Sequence, residues 1–257
     1  MSRSILEHLH GGIDFPLCLH PLGNGLIHCC RCPYIPGWPG TSDQPPHPVL
    51  TIPPGFRTPA SEYPEQTVGT TRILRIPMPP GRYWLNGLYG PAQYVETTET
   101  IPVTHLQTRN AEGDWQTWMV DDPTHWLGLQ VYAKRIQGPN VFIGGLGLGL
   151  ILHLLAPRDS VNIHGDGRQD IDHIVVAEKN PDVIQMIRPL LPPFEDHRLT
   201  LINSDAWKEL EDPLLGYDTI FLDLWRGPIA GQVPEVIEKA RMVRGWHPEA
   251  DLLCFWF

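Results

Sequence analysis

The stretch Asn140-Val141-Phe142-Ile143-Gly144-Gly145-Leu146-Gly147-Leu148-Gly149 decides the fold. A short apolar run enters a glycine-rich bend, and residues 150–155 follow as an apolar helix. Strand, glycine turn and helix in that order predict the first unit of a parallel α/β sheet. The pattern continues downstream. Residues 174–177, 199–203, 219–224 and 252–257 read as short apolar strands. Residues 181–191 and 234–243 read as helices, the second with Pro234 at the tolerated first position. The expected fold class is α/β: a doubly wound, mostly parallel, Rossmann-like sheet with strand order 3-2-1-4-5.

Upstream of the bend the texture changes. Most of the 28 prolines fall in residues 1–102. Residues 1–66 read as a Pro/Gly-rich extended segment, 67–122 as a small β-rich region and 123–257 as the α/β domain. Tyr34, Trp38, Phe56 and Tyr63 make 33–64 more aromatic than a free linker, so this stretch is expected to lie on a folded surface. Residues 67–78 and 94–109 are rich in Thr, Val and Ile. Residues 103–109 and 115–120 flank Asn110-Ala111-Glu112-Gly113-Asp114, which reads as a hairpin with a glycine-containing loop. A helix starts after Asp122, with Pro123 first and Trp126, Leu129, Ala133 and Ile136 at helical spacing; Gly138-Pro139 stops it.

Composition narrows the function. The chain has 257 residues and a net charge of −10, so it carries no basic footprint and no nucleic-acid partner is expected. The longest apolar run, residues 141–152, is too short and glycine-rich to span a membrane. No signal-peptide core follows Met1, so a soluble, cytoplasmic protein is expected. Five cysteines do not suggest a disulfide scaffold. Cys18, Cys29, Cys30 and Cys32 cluster with His20 and His28. Only Cys29 and Cys32 have zinc-type spacing, so no metal is expected.

The bend itself excludes two ligand classes. Counting from Gly145, the sixth position of a dinucleotide fingerprint is Leu150, and the match fails; no Gly-Lys-Ser/Thr follows, which excludes a Walker A loop. Gly145, Gly147 and Gly149 form G-x-G-x-G, where ligand atoms can approach the backbone without meeting a Cβ. The plainer alternative is a tight turn that packs helix on sheet. Glu178 ends the second strand, where an acid can accept both hydroxyls of a ribose through charged hydrogen bonds worth roughly 1.5–3 kcal/mol each. Asp205 ends the third strand. Either acid is alternatively a helix cap. Asp223 ends the fourth strand, at the carboxyl edge where such sheets place substrate-facing groups; its alternative is a plain surface acid.

Residues 140–257 resemble the class I S-adenosylmethionine (SAM)-dependent methyltransferase superfamily, and more narrowly its spermidine synthase-like branch. The carriers are Val141-Phe142-Ile143-Gly144-Gly145, Val175-Val176-Ala177-Glu178-Lys179-Asn180-Pro181 and Tyr217-Asp218-Thr219-Ile220-Phe221-Leu222-Asp223, and the Gly-Leu-Gly-Leu-Gly wording is similar to short bacterial and phage chains of that superfamily. The resemblance implies SAM or decarboxylated SAM held by Gly145, Gly147, Gly149, Glu178, Asp205 and Ala206, with Asp205 accepting from the adenine amino group. It implies Asp223 as catalytic base or acceptor orienter, and Trp225 and Arg226 at the acceptor.

Arg226 departs from the branch. Spermidine synthases read Asp-x-x-Asp-Pro, whereas here Asp223 leads to Leu224, Trp225, Arg226 and Gly227. A guanidinium in place of the second acid repels a polyamine and suits a carboxylate or phosphate. Methyl transfer to a small-molecule acceptor is therefore expected. Aminopropyl transfer from decarboxylated SAM and a non-catalytic nucleotide-binding module are the alternatives. No Asn/Asp-Pro-Pro-Tyr/Phe motif of nucleic-acid methylases occurs. A fifth strand ending in Cys254-Phe255-Trp256-Phe257 needs cover, either from the β-rich region or from a second subunit in a homodimer.

Overall fold

A computed structural model describes residues 19–21, 27–29, 49–85, 93–156, 171–225 and 233–255. Among these, β1 (Leu19–Pro21) and β2 (Ile27–Cys29) form an antiparallel ribbon. β3 (Val49–Ile52), β6 (Gly81–Leu85) and β7 (Gln93–Thr97) form a mixed sheet in the order β3-β7-β6. β4 (Gln66–Val68), β5 (Thr71–Met78), β8 (Ile101–Arg109) and β9 (Trp115–Asp121) form an antiparallel sheet in that order. The β8–β9 hairpin forms where its glycine-containing loop predicts it. Asn110 and Asp114 close the loop by a backbone bond of 2.9 Å, and Gly113 takes the left-handed φ of +89°.

Helix α1 (Pro123–Ala133) begins as its sequence requires, with the Asp122 carboxylate accepting from the His125 amide at 3.0 Å. It ends at Ala133, before Gly138-Pro139, because the Arg135 and Ile136 amides turn back onto the Tyr132 carbonyl. The parallel sheet follows: β10 (Asn140–Gly144), β11 (His173–Ala177), β12 (Leu199–Ile202), β13 (Thr219–Leu222) and β14 (Asp251–Cys254). Its order is β12-β11-β10-β13-β14, which is 3-2-1-4-5 in order of appearance. All four pairings are parallel, so "mostly parallel" understates it.

Alternation along these strands builds two cores. Val141, Ile143, Ile174, Val176, Phe221 and Leu253 face one way and pack with α1, α2 (Leu150–Leu155) and α3 (Pro181–Ile187). Phe142, Ala177, Ile220, Leu222, Leu252 and Cys254 face the other way and pack with α4 (Ala206–Leu210) and α5 (Val233–Trp246). Helices therefore cover both faces.

The first core continues into the antiparallel sheet through Ile73 and Leu106, and into the proline-rich segment through Ala60 and Tyr63. Residues 59–63 are thus more than a surface strap: Ala60 is 0% and Tyr63 4% exposed. Tyr34 and Trp38 lie outside the described residues. Polar contacts tie the same two sheets together. The Thr70 amide and hydroxyl donate to Asp182 Oδ2 at 2.7 and 2.9 Å, and Asn180 Nδ2 donates to Thr71 Oγ1 at 3.0 Å.

The last strand is covered within the chain as far as it is described. Phe255 is fully buried, edge-on to Tyr132 with ring centroids 5.2 Å apart, and Tyr132 Oη donates to the Cys254 carbonyl at 2.9 Å. Burying such a side chain stabilises by about 1.5–3 kcal/mol. α1 supplies this contact; Trp256 and Phe257 lie outside the described residues.

Candidate functional site at the carboxyl edge of the parallel sheet

Backbone bonds knit together the strand ends that carry the candidate residues. Gly145 N donates to the Ala177 carbonyl at 2.9 Å, Glu178 N to Ile202 O at 3.0 Å, and Asp223 N to Gly144 O at 2.9 Å. The ends of β10, β11, β12 and β13 thus meet around the glycine bend.

Gly145 is required by a close approach of backbone, and Gly147 by its left-handed φ, its neighbour being the flexible end of a side chain. Gly145 has φ +92°, and a Cβ there would lie 2.4 Å from the Asp223 carbonyl oxygen. Gly147 has φ +50°, and its Cβ would lie 2.7 Å from Met119 Cε and 2.8 Å from Met119 Sδ. Gly149, also left-handed, caps α2 against Leu191 and Ile187. Every one of these contacts is made by the chain itself. The glycines are therefore accounted for as a packed turn, and a ligand reading has to stand on the acids.

Glu178 turns toward the bend. Its Oε2 accepts from the Leu146 amide at 3.0 Å and its Oε1 from the Asn180 amide at 2.9 Å. Both oxygens still have acceptor capacity, because an ionised carboxylate offers about four lone-pair sites. Asp223 is brought close to it. Burial, and then the charge of Glu178, push the Asp223 carboxyl up to about 7. An acid that titrates near neutrality beside a second carboxylate is suited to proton transfer and to holding a cation.

The other candidates separate. Asp205 is exposed, and its Oδ1 caps α4 by accepting from the Trp207 amide at 2.9 Å. Ala206 is buried beside Gly144. Trp225 is 8% exposed and packs with Trp207, ring centroids 5.9 Å apart, in the core under α5, so its surface is spent on packing. Arg226 lies outside the described residues, as do Cys18, Cys30 and Cys32. His20 and His28 are register partners in the β1–β2 ribbon. Among the described residues no group of three or more His, Cys, Asp or Glu could hold a metal ion. No helix among them is long and apolar enough to cross a membrane.

The bend also has neighbours that sequence patterns do not announce. The Leu148 amide is directed at Met119 Sδ, 3.4 Å away, and Tyr63 Oη lies 3.1 Å from the Leu148 carbonyl. Tyr63 Oη is closer still, at 2.7 Å, to His153 Nε2. His153 also bonds the Leu190 backbone, and its neutral ring can take the tyrosine proton at Nε2. Burial lowers the His153 pKa and raises that of Tyr63, so both are neutral. Asp121, at the end of β9, is 2% exposed and accepts from Thr58 Oγ1; burial pushes it up to about 7. A methionine on an alternating strand and a tyrosine among prolines carry no local mark of these partners. The chain matches no protein-family model and no curated protein.

Proposed function

We propose that the chain is a SAM-binding transferase with a Rossmann-like, doubly wound domain, transferring a methyl group to a small-molecule acceptor. The observation that carries this reading is the placement of two acids at adjoining strand ends beside the glycine bend: Glu178 Oε2 accepts from the Leu146 amide, the Asp223 amide is held by the Gly144 carbonyl, and the charge of Glu178 adds to burial in raising Asp223 to about 7. Two converging carboxylates favour a cationic ligand, and a sulfonium nucleoside is one. SAM supplies a carbon activated by its sulfonium. Glu178 accepts the ribose hydroxyls, Asp205 accepts from the adenine amino group, and the nucleoside approaches the bend at Gly147, whose neighbours are the flexible end of Met119 rather than backbone. Asp223 accepts the proton of the acceptor nucleophile as the new bond forms, and the rest of the site positions the reactants.

The packing of Met119 on Gly147 favours one rival, a non-catalytic module whose bend is purely structural. Calorimetric titration with SAM, S-adenosylhomocysteine and decarboxylated SAM separates the two. Heat with SAM and S-adenosylhomocysteine is expected; none with any of the three leaves only the rival. Tight binding confined to decarboxylated SAM, with product formed from putrescine, points instead to aminopropyl transfer. Asp223→Asn is expected to keep S-adenosylhomocysteine binding and to lose product formation from SAM. Equal loss of both would make Asp223 a binding or structural residue.

A further inference from the structure

We propose that Met119 is an intrachain cap on the nucleoside site: its thioether fills the space that Gly147 leaves open, and an adenosyl ligand must displace it to bind. The inference rests on the SAM-binding reading and adds to it a residue that sets affinity. Gly147 has no side chain, and the volume its Cβ would occupy is closed by Met119 Cε and Sδ, at 2.7 and 2.8 Å from that position. The backbone donor beside it, Leu148 N–H, points at Met119 Sδ, and the Leu148 carbonyl lies by Tyr63 Oη. The antiparallel sheet and the segment before it thus lie against both backbone polar atoms of one residue in the bend, Leu148.

Among the residues crowding the bend, Met119 is the one built to leave. Asp223 meets Gly145 with its backbone; Gly149 is met by the fully buried Ile187 and by Leu191, whose branched side chain is half-buried and packs against the same core. Met119 is half-buried, unbranched and turns about three side-chain bonds, and its sulfur is a weak acceptor that releases an amide at little cost. Its position is set by β9, where it pairs with the fully buried Leu106 of β8, so the side chain points toward the bend. Ligand affinity in the native chain is then reduced by the fraction of time Met119 is in place.

The test uses the full chain with ¹³C-labelled methionine methyl groups, the Met119 signal being assigned with Met119→Leu, and S-adenosylhomocysteine as probe. Two results are expected. The Met119 methyl resonance shifts as the probe is added, and Met119→Ala binds the probe about tenfold more tightly than the native chain. Equal or weaker binding by Met119→Ala, with the native methyl signal unmoved at saturation, overturns the cap and leaves the SAM reading standing. No uptake of the probe by either protein overturns the SAM reading, and the cap with it. If Met119→Ala does not fold, the methyl titration of the native chain decides the question.

Discussion

Asp121 and Asp223 are the same residue type, each placed at the end of a strand and each pushed up to about 7 by burial, yet their surroundings differ. Asp121 closes β9 of the antiparallel sheet; the Thr58 hydroxyl it accepts from pulls its pKa back down, and the charge of its chain neighbour Asp122 pushes it up. Asp223 directly follows β13 of the parallel sheet, and the charge that adds to burial there comes from Glu178, at the end of a different strand. A buried acid met by a hydroxyl is a fastening. An acid raised by the charge of an acid on a neighbouring strand end is a group whose ionisation responds to whatever charge arrives between the two. The contrast separates the region that braces the bend from the region proposed to do chemistry.

The sharpest way to break that contrast is to place a Cβ in each region at a left-handed glycine. Gly145→Ala meets the Asp223 carbonyl, and a loss of more than about 3 kcal/mol is expected in urea denaturation. Gly113→Ala in the β8–β9 loop meets nothing within 4 Å, and only the left-handed backbone penalty of about 1–2 kcal/mol is expected. Similar costs at both would show that the close approach at Gly145 is not a constraint.

A comparable effect should appear in the pH dependence of stability. The folded-state value of Asp121, about 7, lies above its ordinary 3.8, so folding favours the protonated form. That contribution is complete below about pH 4 and is lost as pH rises through 7, amounting to up to about 4 kcal/mol. Asp121→Asn should flatten this part of the stability–pH curve; an unchanged curve would mean the acid is ionised in place. His153 acts with the opposite sign, because its lowered pKa favours the neutral ring and its contribution fades as pH falls below 6.5.

Glu178→Ala should weaken S-adenosylhomocysteine binding by about 1.5–3 kcal/mol in calorimetry, through loss of charged hydrogen bonds. An unchanged dissociation constant would remove the ribose role and leave Glu178 as a brace for Leu146. The smallest effect is expected from Tyr63→Phe, about 1 kcal/mol of thermal stability for the bond to His153. No change in melting would show that the link between the segment before β4 and α2 is carried by apolar contact alone.

The parallel sheet was legible because its signals are local and repeated. Val141–Ile143 and Ile220–Leu222 are apolar without interruption, and helices at Pro181 and Ala206 begin with Asn180 and Asp205 as caps. The strand ends were legible for the same reason, so Glu178 and Asp223 could be placed at the carboxyl edge of the sheet, while the effect of one charge on the other could not. Asp205 was legible only as one of two alternatives, and its capping bond to Trp207 is now visible. An aromatic residue such as Trp225 after a strand-end acid reads alike whether it faces a site or a core; its pairing with Trp207 depends on α4, which no local pattern announces.

Sequence by itself determined the order of strands and helices, the bend at Gly145–Gly149 and the two acids at its rim, since each follows from spacing, burial pattern or backbone freedom within a few residues. Only the tertiary structure decided what touches that bend. Met119 meets Gly147 from 28 residues away in the chain and Tyr63 meets Leu148 from 85, by the register of one antiparallel sheet and the docking of a segment before it. Such contacts arise from how two layers share one core, and no short-range pattern encodes them.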